Sequence, residues 1–366
     1  MILTVVFYIF VFFTAIQISY YLLFSNILFP NKRTFKLPEF PISVIIFVKN
    51  SAENLRNFLP SILTQNYPIF EIVLIDNNST DKTHKVINSF AKKHPNIHIV
   101  SVENNEAFWG SKKYAMTLGI KAAKFEHLLF TEANCKPISE HWISEMSRQF
   151  SKEKTIVLGY SRYKKEKKIT NFLIRFYHFL TAIQLLNFSK IGMPFMADGK
   201  NFAYKKEDFY RAKGFINHMK QELGEDDLFI QDAANKINTT YCISKNSFVE
   251  TTNCDLFTDW FFLQRKKVFL RKKYQPKHRF VLNLFTISKL FFYVFGTVLL
   301  FFFPFEIILS IMFVYFLTQY IIVGISAKRL DEKNLIYFLP LLDIVFLLIQ
   351  MSIFMANLTS KPSHWK

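Results

Sequence analysis

Four long apolar runs limit what this chain can fold into. Asp343 is the only charged residue inside any of them. About 20 apolar residues in a helix cross the hydrocarbon core of a bilayer, and the second run reaches that length if its helix begins near Leu284 and Lys289 extends toward the headgroups. The sequence predicts four membrane spans, or three if the second run is re-entrant. The runs are Ile2–Leu28, Leu290–Phe305, Ile307–Ala327 and Leu335–Leu358.

The first run is predicted to be a retained anchor, with a cleaved signal peptide as the alternative. It has no basic residues before the apolar stretch and no small-x-small cleavage site, and it is longer than the apolar region of a typical signal peptide.

The positions of the basic residues predict the orientation. The hairpin Pro304–Glu306 has no basic residue, whereas the flanks of the other loops are rich in them. Residues 31 to about 280 are therefore predicted to be cytoplasmic, with both termini on the far side of a cell (inner) membrane. Cys135, Cys242 and Cys254 would then be reduced thiols. The basic flanks are Lys32, Arg33 and Lys36; Arg265, Lys266, Lys267, Arg271, Lys272, Lys273, Lys277 and Arg279; and Lys328, Arg329 and Lys333.

The same basic residues account for much of the net charge. Lys and Arg total 46 against 28 Asp and Glu, which gives +18. Asp259–Lys273 alternates aromatic and basic residues at roughly helical spacing, which is typical of a helix lying on anionic headgroups. Because much of the positive charge lies beside the spans, we expect membrane lipids as partners and no nucleic acid.

The region after the first run alternates buried strands with amphipathic helices, which predicts an α/β fold with a mostly parallel sheet. In such sheets ligands bind outside the carboxyl ends of the strands. The predicted strands are Ile42–Val48, Phe70–Ile75, Ile97–Val102 and His127–Thr131, and the helices are Ala52–Leu63, Asp81–Lys93 and Ser111–Lys124.

Three strand ends carry oxygen-rich side chains. Lys49–Ser51 follows the first strand, Asp76–Asp81 the second, and Thr131–Asn134 the fourth. No glycine-rich phosphate loop of the dinucleotide or P-loop type occurs there. Oxygen ligands two residues apart can hold a divalent cation against a diphosphate.

Six segments, taken in this order, resemble glycosyltransferase family 2, the inverting transferases of the GT-A fold. The resemblance extends over about residues 41 to 275 and implies a nucleotide-diphospho-sugar donor. The segments are Pro41–Ile46, Ile72–Asp81, Trp109–Ala115, Leu129–Pro137, Gly199–Tyr204 and Gly224–Phe229.

The resemblance implies roles on the donor side. Asp76 corresponds to the aspartate that contacts the nucleotide base, and Asn50 to the asparagine on the nucleotide side. Lys112 or Lys113 would approach the diphosphate, and Glu132 would contribute to donor binding.

The resemblance also implies a divalent cation, Mg²⁺ or Mn²⁺. The D-x-D motif of the family falls on Glu132-Ala133-Asn134. Asn134 keeps an oxygen ligand without the charge, which lowers the affinity expected for a hard cation.

On the acceptor side the resemblance implies roles for Lys200, Asn201 and Glu225. An inverting transfer needs one general base to deprotonate the acceptor hydroxyl. The acidic motif predicts Asp226 for this role and Asp227 as the second choice.

The layout that follows has an anchor (1–29), a GT-A domain (38–255), a basic interfacial helix region (256–282) and about three C-terminal spans (283–358). Gln264–Val268 has neither the Arg at the fourth position nor the Trp of the Q-x-x-R-W motif of processive synthases. We therefore expect single additions to a lipid, lipid-linked or glycan acceptor. The apolar residues of Phe172–Gly192 predict either an amphipathic helix that guides this acceptor or a core helix.

Two other functions remain open from the sequence. Glu132 and Asn134 are compatible with a catalytically weakened or inactive family member that binds nucleotide sugars. A transporter is disfavoured because the spans are few and nearly devoid of polar residues. Asp343 either has a function within the membrane or bonds to a neighbouring helix.

Overall fold

A computed structural model of the chain describes residues 1–28, 40–102, 112–252 and 256–362. Three features predicted above lie outside these residues: the basic group Lys32, Arg33 and Lys36, the start of the segment at Trp109–Ser111, and Cys254.

Twelve α-helices occur in the described residues. They are α1 (Ile2–Phe24), α2 (Ala52–Leu63), α3 (Thr83–Lys93), α4 (Lys112–Ala122), α5 (Trp142–Ser147), α6 (Ile169–Lys190), α7 (Lys206–Arg211), α8 (Asp227–Ala233), α9 (Phe257–Leu270), α10 (Pro276–Phe302), α11 (Phe305–Arg329) and α12 (Leu339–Thr359).

Ten strands form two sheets in the described residues. The larger has the order β3-β2-β1-β4-β8-β6-β9, and the smaller has the order β5-β10-β7. The strands are β1 (Ile42–Val48), β2 (Phe70–Asn77), β3 (Ile97–Val102), β4 (His127–Glu132), β5 (Cys135–Pro137), β6 (Ile156–Leu158), β7 (Ser161–Tyr163), β8 (Phe202–Lys205), β9 (Thr239–Tyr241) and β10 (Val249–Thr251).

The chain divides into two compact units. One comprises residues 32–165 and 188–253, and the other comprises residues 1–31, 166–187 and 254–366.

The first unit is built on the larger sheet. Strands β3, β2, β1 and β4 are parallel neighbours, while β8 is antiparallel to both β4 and β6. The central strands are buried on both faces, which explains their continuous apolar sequence. Helix α2 packs Leu55, Leu59 and Ile62 against this sheet. The predicted α/β fold with a mostly parallel sheet is confirmed.

Some element boundaries differ from the prediction. Strand β2 continues to Asn77 because Asp76 and Asn77 pair with β3. Helix α3 begins at Thr83 because the Asp81 carboxylate accepts a hydrogen bond from the backbone N–H of Thr83, which leaves Asp81 ahead of the helix.

The second unit contains four helices that are long and apolar enough to cross a membrane. They are α1, α10, α11 and the segment Lys333–Thr359, which combines a 3₁₀ turn with α12. The break between α10 and α11 falls at Phe303 and Pro304, so Phe305 and Glu306, which were predicted as part of the hairpin, belong to α11. The chain therefore has the helices expected of a membrane-associated protein.

One prediction about these helices is wrong. Lys289 does not extend toward the headgroups, because its side chain is fully buried and pairs with Asp343 on α12. Lys289 also donates to the Tyr21 hydroxyl on α1 at 3.2 Å. Of the two interpretations left open for Asp343, the structure supports bonding to neighbouring helices.

Helices α6 and α9 also contribute to the second unit. On α6, Phe176, Phe179 and Leu186 are buried, which supports the interpretation as a core helix. Tyr177 of α6 meets Trp260 of α9 edge to face, with ring centroids 5.1 Å apart.

Candidate active site

The carboxyl ends of β1, β2 and β4 meet at one edge of the larger sheet. Asp76 is the register partner of Val48, and Glu132 is the register partner of Phe47. Two acidic residues therefore flank the end of β1, one on each neighbouring strand. Parallel pairing produces this arrangement, because it puts all three carboxyl ends on the same side.

Asn50 joins the loops that follow β1 and β2. Its φ of 47° is in the left-handed region, which asparagine tolerates better than most residues. Its side-chain oxygen accepts from the backbone N–H of Thr80 at 2.8 Å, and its own N–H donates to the Ser79 hydroxyl at 3.0 Å. Asn50 therefore fixes the loop that follows Asp76.

Asp76 is held at the end of β2 with little exposure to solvent. One carboxylate oxygen accepts from the backbone N–H of Ser79 at 3.2 Å, and the other lies 3.8 Å from Nδ1 of His84. The carboxylate is 5% exposed, whereas His84 is largely exposed. This gives Asp76 a fixed orientation at the mouth of the site.

Lys112 bridges two carboxylates from distant parts of the sequence. Its Nζ lies 3.1 Å from Oε1 of Glu132 and 2.6 Å from Oε1 of Glu225. All three side chains are partly buried. The bridge connects the end of β4 with the acidic segment that precedes α8.

The bridge keeps both carboxylates ionised. Burial alone would raise the pKa of Glu132, but the nearby Lys112 and Lys200 ammonium groups outweigh it and lower the pKa to about 2. Lys112 likewise lowers the pKa of Glu225 against the effect of burial. Burial would lower the pKa of Lys112 itself, but Glu225 and Glu132 raise it well above its ordinary value.

Lys113 faces away from this bridge. Its side chain is fully buried and donates to the backbone carbonyls of Gln221 and Leu223, at 2.5 and 2.6 Å. Burial lowers the pKa of Lys113 to about 8. Of the two lysines predicted to approach the diphosphate, Lys112 lies at the strand ends, while Lys113 supports the loop that leads to Glu225.

Asp226 caps the first turn of α8. Its Oδ1 accepts from the backbone N–H of Asp227 at 2.8 Å, and its Oδ2 accepts from the backbone N–H of Gly199 at 3.1 Å. A Cβ atom at position 199 would lie 2.8 Å from that Oδ2, so the close approach depends on glycine. Asp226 is partly exposed, whereas Asp227 is buried.

Lys200 and Asn201 follow Gly199 but have different surroundings. Lys200 has its ammonium 3.9 Å from Oδ1 of Asp198 and 5.8 Å from the centre of the Tyr163 ring. Asn201 is fully buried, and its amide group bonds to the indole N–H of Trp142 and to two backbone carbonyls. Asn201 therefore holds the loop in place from inside the core.

The oxygens of Glu132 and Asn134 fit a divalent cation only in part. The described residues hold no group of three or more His, Cys, Asp or Glu side chains placed to bind a metal ion. Glu132 and Asn134 would supply two oxygens, and a donor diphosphate would supply others, as is usual for Mg²⁺. The Asn134 amide oxygen accepts a long hydrogen bond, 3.4 Å, from the Cys135 thiol.

Sequence reasoning identified most of these residues but did not connect them. It assigned Lys112 and Glu132 to the donor and Glu225 to the acceptor, whereas the structure joins all three in one ion bridge. It missed Asp198, whose carboxylate accepts from the Ser161 hydroxyl and from the N–H of Lys200. The position of Asp198 directly before Gly199 was the available signal.

Comparison with known proteins identifies the class of this fold. Residues 43–218 match the family model of Glycosyl transferase family 2. No curated protein sequence matches the chain.

One solved structure agrees with this match at the level of the fold. A mannosyltransferase, PcManGT from Pyrobaculum calidifontis in complex with GDP-Man and Mn²⁺, is similar at 14% identity and a TM-score of 0.56, covering 95% of this chain and 99% of that one. S. aureus TarS 1–349 is similar at 16% identity and a TM-score of 0.45, covering 86% of this chain and 92% of that one.

Residues 43–218 thus match the family 2 model, and the fold is GT-A. The protein is a glycosyltransferase.

Proposed function

We propose that the protein is a membrane-bound inverting glycosyltransferase that moves a sugar from a nucleotide-diphospho-sugar to a lipid, lipid-linked or glycan acceptor. The observation that carries this proposal is the meeting of Asp76, Glu132 and the Lys112 bridge at one sheet edge, with Asp226 on the adjoining loop.

The donor side of the site has the groups that a nucleotide diphosphate needs. Asp76 is oriented to accept from the nucleotide base, and Asn50 shapes the loop beside it. Lys112 offers a positive charge to the diphosphate. A Mg²⁺ or Mn²⁺ ion held by Glu132 and Asn134 would neutralise charge on the leaving diphosphate.

Asp226 is our choice for the general base, with Asp227 second. As the acceptor hydroxyl oxygen attacks the anomeric carbon, Asp226 takes the hydroxyl proton. The bond between that carbon and the diphosphate oxygen breaks on the opposite face, and the nucleoside diphosphate leaves with the bonding electrons. The partial exposure of Asp226, against 4% for Asp227, supports this order.

Lys200 and Asn201 are proposed on the acceptor side with Glu225. Lys200 provides a charged group near the loop, and Asn201 fixes the backbone that carries Lys200. Since Gln264–Val268 lacks a processive motif, we propose that the enzyme adds single sugars.

We also propose that the enzyme acts on the cytoplasmic face of a cell (inner) membrane, in cell envelope polysaccharide or glycolipid synthesis. The basic residues around the start of α10 and the end of α11 support this orientation. The layout predicted from the sequence, with an anchor, a GT-A domain, a basic interfacial helix and C-terminal hydrophobic helices, belongs to the same proposal.

A donor screen on purified membranes tests the proposal. Nucleotide release is measured with each candidate nucleotide-diphospho-sugar, including GDP-mannose and UDP-GlcNAc, with Mn²⁺, with Mg²⁺ and with a chelator. We expect one donor to release nucleotide above the level of membranes that lack the protein. Absence of release from every donor, together with retained nucleotide binding, would contradict the proposal.

A further inference from the structure

The last apolar helix is long enough to cross the membrane, but its contacts favour a position within one leaflet. Helix α12 has 21 residues, which at 1.5 Å per residue is about the thickness of a hydrocarbon core. Length and composition alone therefore group it with α1, α10 and α11. The partners of its two ends decide between crossing and lying within one leaflet.

The end nearest the start of α12 is tied to α6. Arg175 of α6 forms a buried ion pair with Glu332, and it donates to the Asn334 amide oxygen at 2.9 Å. Phe172 of α6 meets Phe338 edge to face, with centroids 5.9 Å apart. Residue 338 directly precedes α12, so this end lies beside α6.

The other end of α12 is tied to α9. The Arg265 guanidinium donates to the backbone carbonyls of Ala356 and Ser360, at 2.8 and 2.9 Å, and to the Asn357 amide oxygen at 3.2 Å. In return, the Asn357 amide donates to the carbonyl of Arg265 at 3.1 Å. Arg265 therefore caps the carboxyl end of α12, where helix carbonyls lack partners within the helix.

Helices α6 and α9 lie on the same side of the membrane. In the described residues between α1 and α10, no helix is long and apolar enough to cross. Helix α9 itself carries Asp259, Arg265, Lys266 and Lys267 within 14 residues, which keeps it at the surface.

We propose that α12 does not cross the membrane but lies within one leaflet on the side of α6 and α9. The chain then crosses three times, through α1, α10 and α11, and its carboxyl terminus lies on the same side as α9. The distribution of basic residues had predicted the opposite side for this terminus.

The rest of α12 fits a helix that is embedded without crossing. One part of its surface is apolar and exposed in the structure, as expected for contact with acyl chains. Another part presents Asp343, which accepts hydrogen bonds from Lys289, Tyr293 and Tyr315 on α10 and α11. The exposed apolar residues are Leu341, Ile344, Leu348, Phe354, Met355 and Leu358.

Cysteine labelling of the full chain in sealed vesicles tests the proposal. Lys361→Cys reports the end of α12. Lys167→Cys reports the side of α6, and Glu306→Cys reports the hairpin on the opposite side. All three positions are exposed. Each variant is treated with a membrane-impermeant maleimide before and after detergent, and labelling of the unmodified chain is subtracted.

We expect Lys361→Cys to be labelled under the same conditions as Lys167→Cys and to be protected where Glu306→Cys reacts. Labelling of Lys361→Cys together with Glu306→Cys would overturn the proposal. A cysteine added after Lys366 serves as a second reporter if Lys361→Cys is poorly inserted. The readout does not depend on sugar transfer, so this inference and the proposed function fail separately.

Discussion

Lys289 and Asp343 form an ion pair in which both side chains are completely buried. The hydroxyl groups of Tyr293 and Tyr315 donate to the second oxygen of Asp343, at 2.8 and 3.1 Å. The pair joins α10 to α12; Tyr293 adds a second contact from α10, and Tyr315 brings in α11. Because each charge is neutralised by the other, neither has to be exposed to lipid.

Removing one member of this pair is expected to destabilise the protein strongly. Asp343→Asn leaves the Lys289 ammonium buried without its counter-charge. Lys289→Met likewise leaves the Asp343 carboxylate buried without a counter-charge. Each single variant should lower the free energy of unfolding by about 3 kcal/mol or more. Unfolding of the detergent-solubilised protein measures the effect.

The double variant Lys289→Met with Asp343→Asn separates charge from packing. It contains no uncompensated charge, so it should be more stable than either single variant. Glu306→Gln removes an acid from an exposed position on α11 and serves as the control, with little expected change. Additive losses in the double variant would show that the two charges do not interact.

The Lys112 bridge leads to a prediction about metal binding. Lys112 places a positive charge 3.1 Å from Glu132, which repels a divalent cation there unless a diphosphate arrives with it. Lys112→Met removes that charge and leaves Glu132 and Glu225 facing one position. We expect the variant to bind Mn²⁺ without nucleotide about tenfold more tightly than wild type.

Free Mn²⁺ measured by electron paramagnetic resonance gives this affinity directly. Lys121→Met removes the same charge from an exposed position on the same helix and should leave Mn²⁺ binding unchanged. Adding Glu132→Gln to Lys112→Met should abolish the gain. Equal Mn²⁺ affinity in wild type and Lys112→Met would contradict the prediction.

The contact between Gly199 and Asp226 predicts a loss of activity from a single methyl group. Gly199→Ala would put Cβ 2.8 Å from Oδ2 of Asp226, so the carboxylate or the loop must shift. Displacement of Asp226, the proposed general base, is expected to lower the rate of sugar transfer about 10²-fold, with a smaller effect on donor KM. Gly324→Ala is the matched control, since its nearest neighbour would lie 3.9 Å away.

His127 predicts a pH dependence of stability. Its ring stacks on Phe40 at 3.9 Å and meets Phe150 edge to face at 4.9 Å. Burial, helped by Lys205, lowers the pKa of His127 from 6.5 to about 4. The unfolded chain therefore binds more protons than the native protein between these values, and stability falls as pH drops from about 6.5 to about 4.

The expected loss from His127 is about 2 kcal/mol, after allowing for its partial exposure. His127→Phe keeps an aromatic ring in the same place and removes the titration. Unfolding of both proteins above pH 6.5 and near pH 4 measures the difference. If the free energies of unfolding of wild type and His127→Phe differ by the same amount at both pH values, His127 does not cause the pH dependence.

The central part of the fold could be predicted from the sequence because each of its strands shows its burial in its own run of residues. Strand β1 is buried on both faces, so every residue of Ile42–Val48 is apolar or small. Polar residues cluster at the carboxyl ends of β1, β2 and β4, and parallel pairing brings these ends together. The positions of Asp76 and Glu132 followed from these two facts.

Other features depend on contacts that the sequence does not display. Strands β5, β6, β7, β9 and β10 have three residues each, which is too short for a periodic pattern. Lys289 and Asp343 are 54 residues apart, so neither predicts burial of the other. Consecutive residues on a helix face different directions, and only the position of the Gln221–Leu223 loop shows that Lys113 faces inward.

Transfer of labelled sugar into the lipid extract of purified membranes tests the central claim most directly. The comparison uses wild type, Asp226→Asn, Asp227→Asn and the control Asp232→Asn, which removes a carboxylate from the same helix. We predict that Asp226→Asn lowers transfer about 10²- to 10⁴-fold while donor binding persists, and that Asp232→Asn retains transfer. Wild-type transfer in both Asp226→Asn and Asp227→Asn would contradict the account.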